Sequence, residues 1–423
     1  MLSEEVIDKV VERLINRIEK ANTYILTEMG KSVNRIETIS PSKRHQLIQI
    51  MKYGGDYDKI VKKLAEITQR NVYDIYEIFD EVAKNDYRFA KQFYDYRNIR
   101  YIPYNENQAL QNQIRALASL TANEYLNFTN TRALGFGWVD EKTGEVTYKG
   151  LQDTYYDLLD EAVLSVSQGK ETFDSAMYRQ LKNIGESGLK VIYESGRAVR
   201  LDSVVRMNIK SALTAMHMEM QRQLGEEFEA NMVEVSHHSN SAPDHIDTVD
   251  GKQFAMIDKI REQIANGIEK EIKLDDIKGN KVRVKGKWYE DYDTMNNKLQ
   301  RPVGTMNCYH YIFTGILGIS KPLYTEAQLQ EDKRRNEEGF ELDGKHYSLY
   351  EGQQLMRSLE LEMRKAKDEQ ILGRTSNNIE LISKSQTRIK NLTTKYKEVV
   401  EASGLLSKLD RARVPGYKRV SLR

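Results

Sequence analysis

Six prolines in 423 residues leave few points at which a helix must stop, because proline is the residue that removes a backbone donor and clashes with the preceding turn. A chain so rarely interrupted favours long helices. The apolar pattern agrees near the start, where Val6, Ile7, Val10, Val11, Leu14, Ile15 and Ile18 recur at three- and four-residue intervals and fall on one stripe. Ser3, Glu4 and Glu5 supply a cap and a favourable first-turn charge. Ser40-Pro41 has the chemistry of a second helix start, carrying Leu47, Ile48 and Met51 and halted by Gly54-Gly55. A third helix is expected through Ile60, Val61, Leu64 and Ile67, and Asn71 is expected to cap a fourth with Val72, Ile75, Ile78, Phe79 and Val82 on one face.

The helical pattern resumes at Asn105, breaks around Gly135, Gly137, Gly144 and Gly150 with a minor hairpin near Gly144 to Tyr148, and continues from Leu151 to about Leu224 with an interruption at Gly185 and Gly188. Between Met232 and Tyr324 the periodicity changes. Short segments such as Met232 to Ser236, and Val282, Val284 and Trp288, alternate like strands. After Pro322 a charged helical pattern returns and runs from Tyr350 toward Leu406. The expected class is therefore mainly α with a small central α+β module, elongated and multi-domain. Its parts are a helical bundle at 1–104, a long helical region at 105–230, the α+β module at 231–325, charged helices at 326–407 and a basic tail at 408–423.

Composition narrows the function classes. The formal net charge is +1, so no global field steers the molecule toward nucleic acid or an anionic surface. With 39% apolar and 30% charged residues the core is thin for the length, which favours a protein that buries surface against partners. The single cysteine, Cys308, makes no internal disulfide, and no apolar run approaches the ~20 residues of a membrane span. The opening MLSEEVIDKVVERL lacks the basic and apolar regions of a signal peptide, so cytoplasmic synthesis is expected.

Four of the seven histidines lie in the central module: His237, His238, His245 and His310. If Cys308 and His310 share a strand, period-two geometry turns both side chains to one face, where they join His238 and His245 around a zinc ion. The competing reading is a buried cysteine among hydrogen-bonded histidines, since paired C-x-x-C or H-x-x-x-H spacing is absent. A third pairs Cys308 with one of those histidines as a thiol nucleophile, with Asp or Asn as orienter. Asp250-Gly251-Lys252 reads as a tight turn before Phe254. No Walker or dinucleotide loop, H-E-x-x-H or G-x-S-x-G motif occurs. Arg197, Arg200 and Arg206 form either a solvated helix face or a buried arginine tied to a downstream carboxylate. The tail carries Lys408, Arg411, Arg413, Lys418, Arg419 and Arg423 against Asp410, a net +5 that suits a mobile segment touching DNA phosphates or simply a solubilising terminus.

Taken in order, Arg197, then Arg206-Met207-Asn208, Ser236-His237-His238, Ala242-Pro243-Asp244-His245, Asp250-Gly251-Lys252-x-Phe254, Asn307-Cys308-Tyr309-His310, Gly318-Ile319-Ser320, and Gly344-Lys345-x-Tyr347-x-x-Tyr350-Glu351-x-x-Gln354-x-x-Arg357-x-Leu359-Glu360 form a distinctive series. This series resembles the phage minor capsid protein 2 family, a relative of the Mu F-like minor head proteins of tailed phages, over about Gly169 to Leu372. Two departures are visible. Tyr309 stands where the family usually has arginine, and a charged insertion at about Lys259 to Lys298 replaces a shorter Gly-rich link. The resemblance implies a structural, non-enzymatic virion component made in the infected bacterium and placed inside the head near the portal vertex. Its implied partners are the portal protein, the major capsid or scaffolding protein and packaged double-stranded DNA, with no membrane.

Overall fold

The computed structural model describes residues 4–37, 47–49, 51–52, 56–139, 143–167, 172–238, 241, 243–246, 248–305, 308 and 310–420. Ser40-Pro41 and Gly54-Gly55, the expected bounds of a second helix, lie outside them. The chain is mainly helical, with four small antiparallel sheets among the described residues, as the sequence led us to expect. It folds into two compact units, one formed by Lys9–Ile75, Ala122–Arg206 and Gly352–Arg423, the other by Met1–Asp8, Tyr76–Thr121 and Met207–Glu351.

Long helices dominate because few residues in the sequence stop them. Glu4–Glu37 is one helix of 34 residues, and Leu14, Ile18, Ile25 and Leu26 on its apolar stripe are fully buried. Asp56–Arg97 is a single helix of 42 residues, so the break expected at Asn71 does not occur. Asn71 is fully buried inside that helix, where its amide donates to the Tyr125 hydroxyl at 2.8 Å and its side-chain oxygen accepts from Arg17. The donor and acceptor that suit asparagine to a cap here serve a tertiary contact. Strands β1 (Leu134–Val139), β2 (Val146–Gly150), β3 (Lys190–Ile192) and β4 (Ala198–Arg200) form a sheet in the order β2-β1-β3-β4. The glycines that break the helical pattern make this sheet possible: a Cβ on Gly135 would lie 2.0 Å from the Lys149 carbonyl oxygen, so only glycine lets β1 and β2 approach. Toward the C-terminal end, Leu349–Ser376 and Ile379–Ser403 are separated at Asn377 (φ 61°), and the Asn378 side chain caps the second helix.

The second unit holds β5 (Met232–Val235), β6 (Gln253–Ala255), β7 (Ile277–Lys278), β8 (Lys281–Val284), β9 (Lys287–Glu290) and β10 (Ile312–Gly315), followed by β11 (Phe340–Leu342) and β12 (Lys345–Tyr347). Strands β10, β5 and β6 make an antiparallel sheet in which β5 and β10 are buried throughout. Val233, Val235, Phe254 and Ile312 pack with Val249, Met295 and Val303. The charged insertion is no loose link. It folds as the Ile257–Ala265 helix and the β7-β8-β9 sheet, and Ile260, Ile272, Val282 and Val284 pack on Met232 and Ala255 in one apolar cluster. His217, fully buried on the Leu201–Glu227 helix, contacts Asp86 at 2.5 Å and the Ile312 carbonyl at 2.8 Å, fastening that helix to β10. The hairpin β11-β12 replaces part of the charged helical run expected after Pro322.

Candidate functional site

The antiparallel pairing of β5 with β10 sets Ile312 opposite Val235, so the residues that leave β5 meet those that enter β10. Ser236 donates its backbone N–H to Tyr311 at 2.8 Å and receives the Tyr311 N–H on its hydroxyl at 3.1 Å. Beyond that point the two chains carry His237-His238 and Cys308 with His310. Neither Cys308 nor His310 lies in a strand, yet both turn into the same buried cluster. The third arm is the short helix Pro243–Ile246, which delivers His245, and its end is closed by backbone N–H bonds from Thr248, Val249 and Asp250 to the His245 carbonyl. Asp250-Gly251 then makes the expected tight turn into β6. Gly251 has φ +68°, and a Cβ there would sit 2.4 Å from Leu329 Cδ2.

His245, Cys308 and His310 are 1%, 5% and 5% exposed. Nδ1 of His245 lies 3.2 Å from Nδ1 of His310, and Cys308 Sγ lies 3.6 Å from the first and 3.7 Å from the second. The opposite edge of each ring is committed. His245 Nε2–H donates to the Arg301 carbonyl at 2.7 Å, and His310 Nε2–H donates to Asp250 Oδ1 at 2.8 Å. Asp250 is the hub. It also accepts from His237 Nδ1 (2.6 Å), the His238 N–H (2.9 Å) and the Ser241 hydroxyl (2.8 Å). Burial alone would raise its carboxyl; the bonds from His237 and His310 overcome this and hold it well below the usual carboxylate range. His237 reaches onward to Asp332 at 2.8 Å on the Glu326–Glu338 helix. Burial pulls the His237 imidazole down, and its two carboxylate partners outweigh that and raise it.

His238, a ligand in the four-residue arrangement expected from sequence, stands edge-on to His310 with ring centres 4.6 Å apart, and its Nε2 lies 3.3 Å from the Ser236 hydroxyl. The described residues whose ligand atoms gather within 4.8 Å are His245, Cys308 and His310. Asp332, Ser241 and the Arg301 carbonyl escaped sequence reading because nothing in their spacing marks them. Lys252 is exposed beside the turn. Asn307 and Tyr309, and the side chain of Asp244, lie outside the described residues. Tyr350 is half-buried and its N–H donates to the Asn336 side chain at 2.9 Å, while Gln354 and Arg357 are exposed.

The arginine series is split by the fold. Arg197 is exposed before β4, Arg200 ends β4, and only Arg206 lies in the Leu201–Glu227 helix, where it pairs with Glu12 at 2.6 Å. Of the two sequence readings, Arg200 takes the buried one: 6% exposed, it contacts Asp202 at 3.1 Å and the distant Asp368 at 3.3 Å. Arg364 reaches Asp202 from the other side at 2.7 Å.

The tail is not mobile as expected. Ala412 and Val414 are buried, and its main chain is held by Thr23 on the Pro415 carbonyl (2.6 Å), Lys367 on Ala412 (2.6 Å), Gln370 on Lys418 (2.7 Å) and Arg374 on Gly416 (2.9 Å). Lys408, Arg413, Lys418 and Arg419 remain exposed, Arg411 is half-buried, and Arg423 lies outside the described residues.

Two chemical states suit the His/Cys cluster. Burial would push the Cys308 thiol up, but the bonds from His245 and His310 bring it down to about 5. Burial would lower His310, but Asp250 and Cys308 raise it to about 9. One state is thus a thiolate–imidazolium pair, and the other is three donors around a cation. Among the described residues no helix is long and apolar enough to cross a membrane. The family model described as phage minor capsid protein 2 matches residues 2–401, which extends well past the motif series at both ends. No curated protein and no solved structure matches.

Proposed function

The chain belongs to the phage minor capsid protein 2 family, and from that premise we propose that it is a structural head-morphogenesis protein of a tailed phage, seated inside the capsid near the portal vertex. The observation that carries this reading is the family match over 2–401, nearly the whole chain. On this reading it contacts the portal protein and the major capsid or scaffolding protein and assists assembly, packaging or ejection of the genome. The tail supports a further contact with packaged double-stranded DNA. Its path is fixed by main-chain bonds while Lys408, Arg413, Lys418 and Arg419 stay exposed. Cations so presented meet phosphates without reading bases.

The test is a phage lacking this protein, complemented either by the natural chain or by one with Lys408, Arg413, Lys418 and Arg419 changed to Gln. The deletion should lower portal occupancy, packaged DNA and infectivity; the neutralised tail should restore assembly but leave packaged DNA or its ejection impaired. Particles of normal portal occupancy, DNA content and infectivity without the protein would overturn the assembly role. Full rescue by the neutralised tail would remove the DNA contact.

A further inference from the structure

We propose that His245 Nδ1, His310 Nδ1 and Cys308 Sγ bind a zinc(II) ion, with Asp250 and the Arg301 carbonyl orienting the two imidazoles. This inference stands on side-chain geometry alone and does not depend on where in the virion the protein sits.

The proton positions come first. A carbonyl oxygen and an ionised carboxylate can only accept, so His245 and His310 each place a proton on Nε2. Each neutral ring then carries its lone pair on Nδ1. These two lone pairs face one another at 3.2 Å, and the Cys308 sulfur completes a triangle. Three electron-pair donors aimed at one region repel one another unless a positive centre lies among them. A proton on one Nδ1 supplies that to a single pair, whereas a metal ion supplies it to all three.

Spacing agrees. A tetrahedral ion with bonds of about 2.05 Å to nitrogen and 2.3 Å to sulfur separates its ligands by roughly 3.3 Å for N–N and roughly 3.6 Å for N–S. The observed edges are 3.2, 3.6 and 3.7 Å. The outer partners follow the pattern that metal-binding imidazoles require, one ring backed by a carboxylate and the other by a backbone carbonyl. Charge agrees as well, since a dication balances the Cys308 thiolate and the Asp250 carboxylate. Two imidazoles and a thiolate exclude the hard, oxygen-seeking cations and suit zinc. The three ligands come from the Pro243–Ile246 helix and from the segment entering β10, so the ion adds a staple between two arms already joined by the His245–Arg301 and His310–Asp250 bonds.

The full chain, produced in zinc-supplemented cells, is assayed by elemental analysis and native mass spectrometry, and then stripped and reloaded with cobalt(II). We expect about one zinc per chain, lost from Cys308→Ser and His245→Ala and kept by His346→Ala, which removes an exposed histidine on β12. Asp250→Asn keeps the ligands and should weaken zinc binding about 10- to 100-fold. Should the ligand variants fail to fold, the natural chain still decides: cobalt must show a thiolate-to-metal charge-transfer band, and chelation must raise the alkylation rate of Cys308. Folded natural protein that takes up no zinc, cobalt bound without the thiolate band, or zinc retained by Cys308→Ser would each overturn the assignment.

Discussion

Two buried polar clusters, one in each unit, solve the problem of charge in a low-dielectric interior in opposite ways. Around Arg200, two guanidiniums meet three carboxylates contributed by residues 19, 202 and 368, and the excess negative charge is taken up by a proton. Glu19 is the carboxyl that keeps it. Burial is the main cause, and both its oxygens lack a hydrogen-bond donor among the described residues, so its pKa rises to about 8. Around Asp250, the Nε2 edges of His245 and His310 bond outward to the Arg301 carbonyl and Asp250, and their Nδ1 atoms face one another beside Cys308. The first cluster is closed by the chain's own charges; the second gathers a sulfur and two imidazole nitrogens whose rings are bonded at their other edges. Burial and ionisable composition alone do not separate the two clusters; the way their polar groups are paired does.

The largest effect should come from breaking the closed cluster. Arg200→Ala takes the guanidinium away from Asp368 and leaves Asp202 with Arg364 alone, and should cost about 3–5 kcal/mol, read as a lower urea midpoint. A loss below about 1 kcal/mol would mean that the carboxylates are not relying on this guanidinium. Gly251→Ala tests the second cluster's frame, because the added methyl meets Leu329 at a positive φ. It should destabilise by about 1–3 kcal/mol and lower zinc uptake, while an unchanged midpoint would show that the Asp250 turn tolerates movement. The smallest effect is also the most diagnostic. A carboxyl raised from 4.5 to about 8 is protonated in the folded chain and ionised in the unfolded one across that window, so its contribution falls as pH rises. Asp368, raised to about 6 mainly by burial, has the same sign; Asp202, which its arginines hold low against the same burial, has the opposite sign and matters on acidification. Glu19→Gln should therefore gain stability relative to the natural chain as the pH rises from about 5 to about 8.5. Equal stability at both values would place the proton elsewhere.

Local chemistry was legible in the sequence, and long-range partnership was not. Asp250-Gly251 announces its turn, and Met232 to Ser236 announces its strand, because both depend on neighbours along the chain. Cys308 and His310 do share one buried cluster, but neither lies in the strand from which their two-residue spacing was argued. Asp368 finds Arg200 across 168 positions, a pairing no window contains. Asn71 misled because the group that caps a helix also makes a good buried bridge. The hairpin at β11-β12 was hidden by its charge, which is the signature of exposed strands as much as of solvated helices. The tail was hidden likewise: its cations dominate its composition, whereas Ala412 and Val414 decide its position.

That anchoring by carbonyl oxygens has a consequence of its own. Backbone acceptors are common to every residue type, so the outward side chains of the strap can be exchanged without loosening its route. The molecule thus owns a rim whose charge can be altered by point changes while the fold beneath stays as it is.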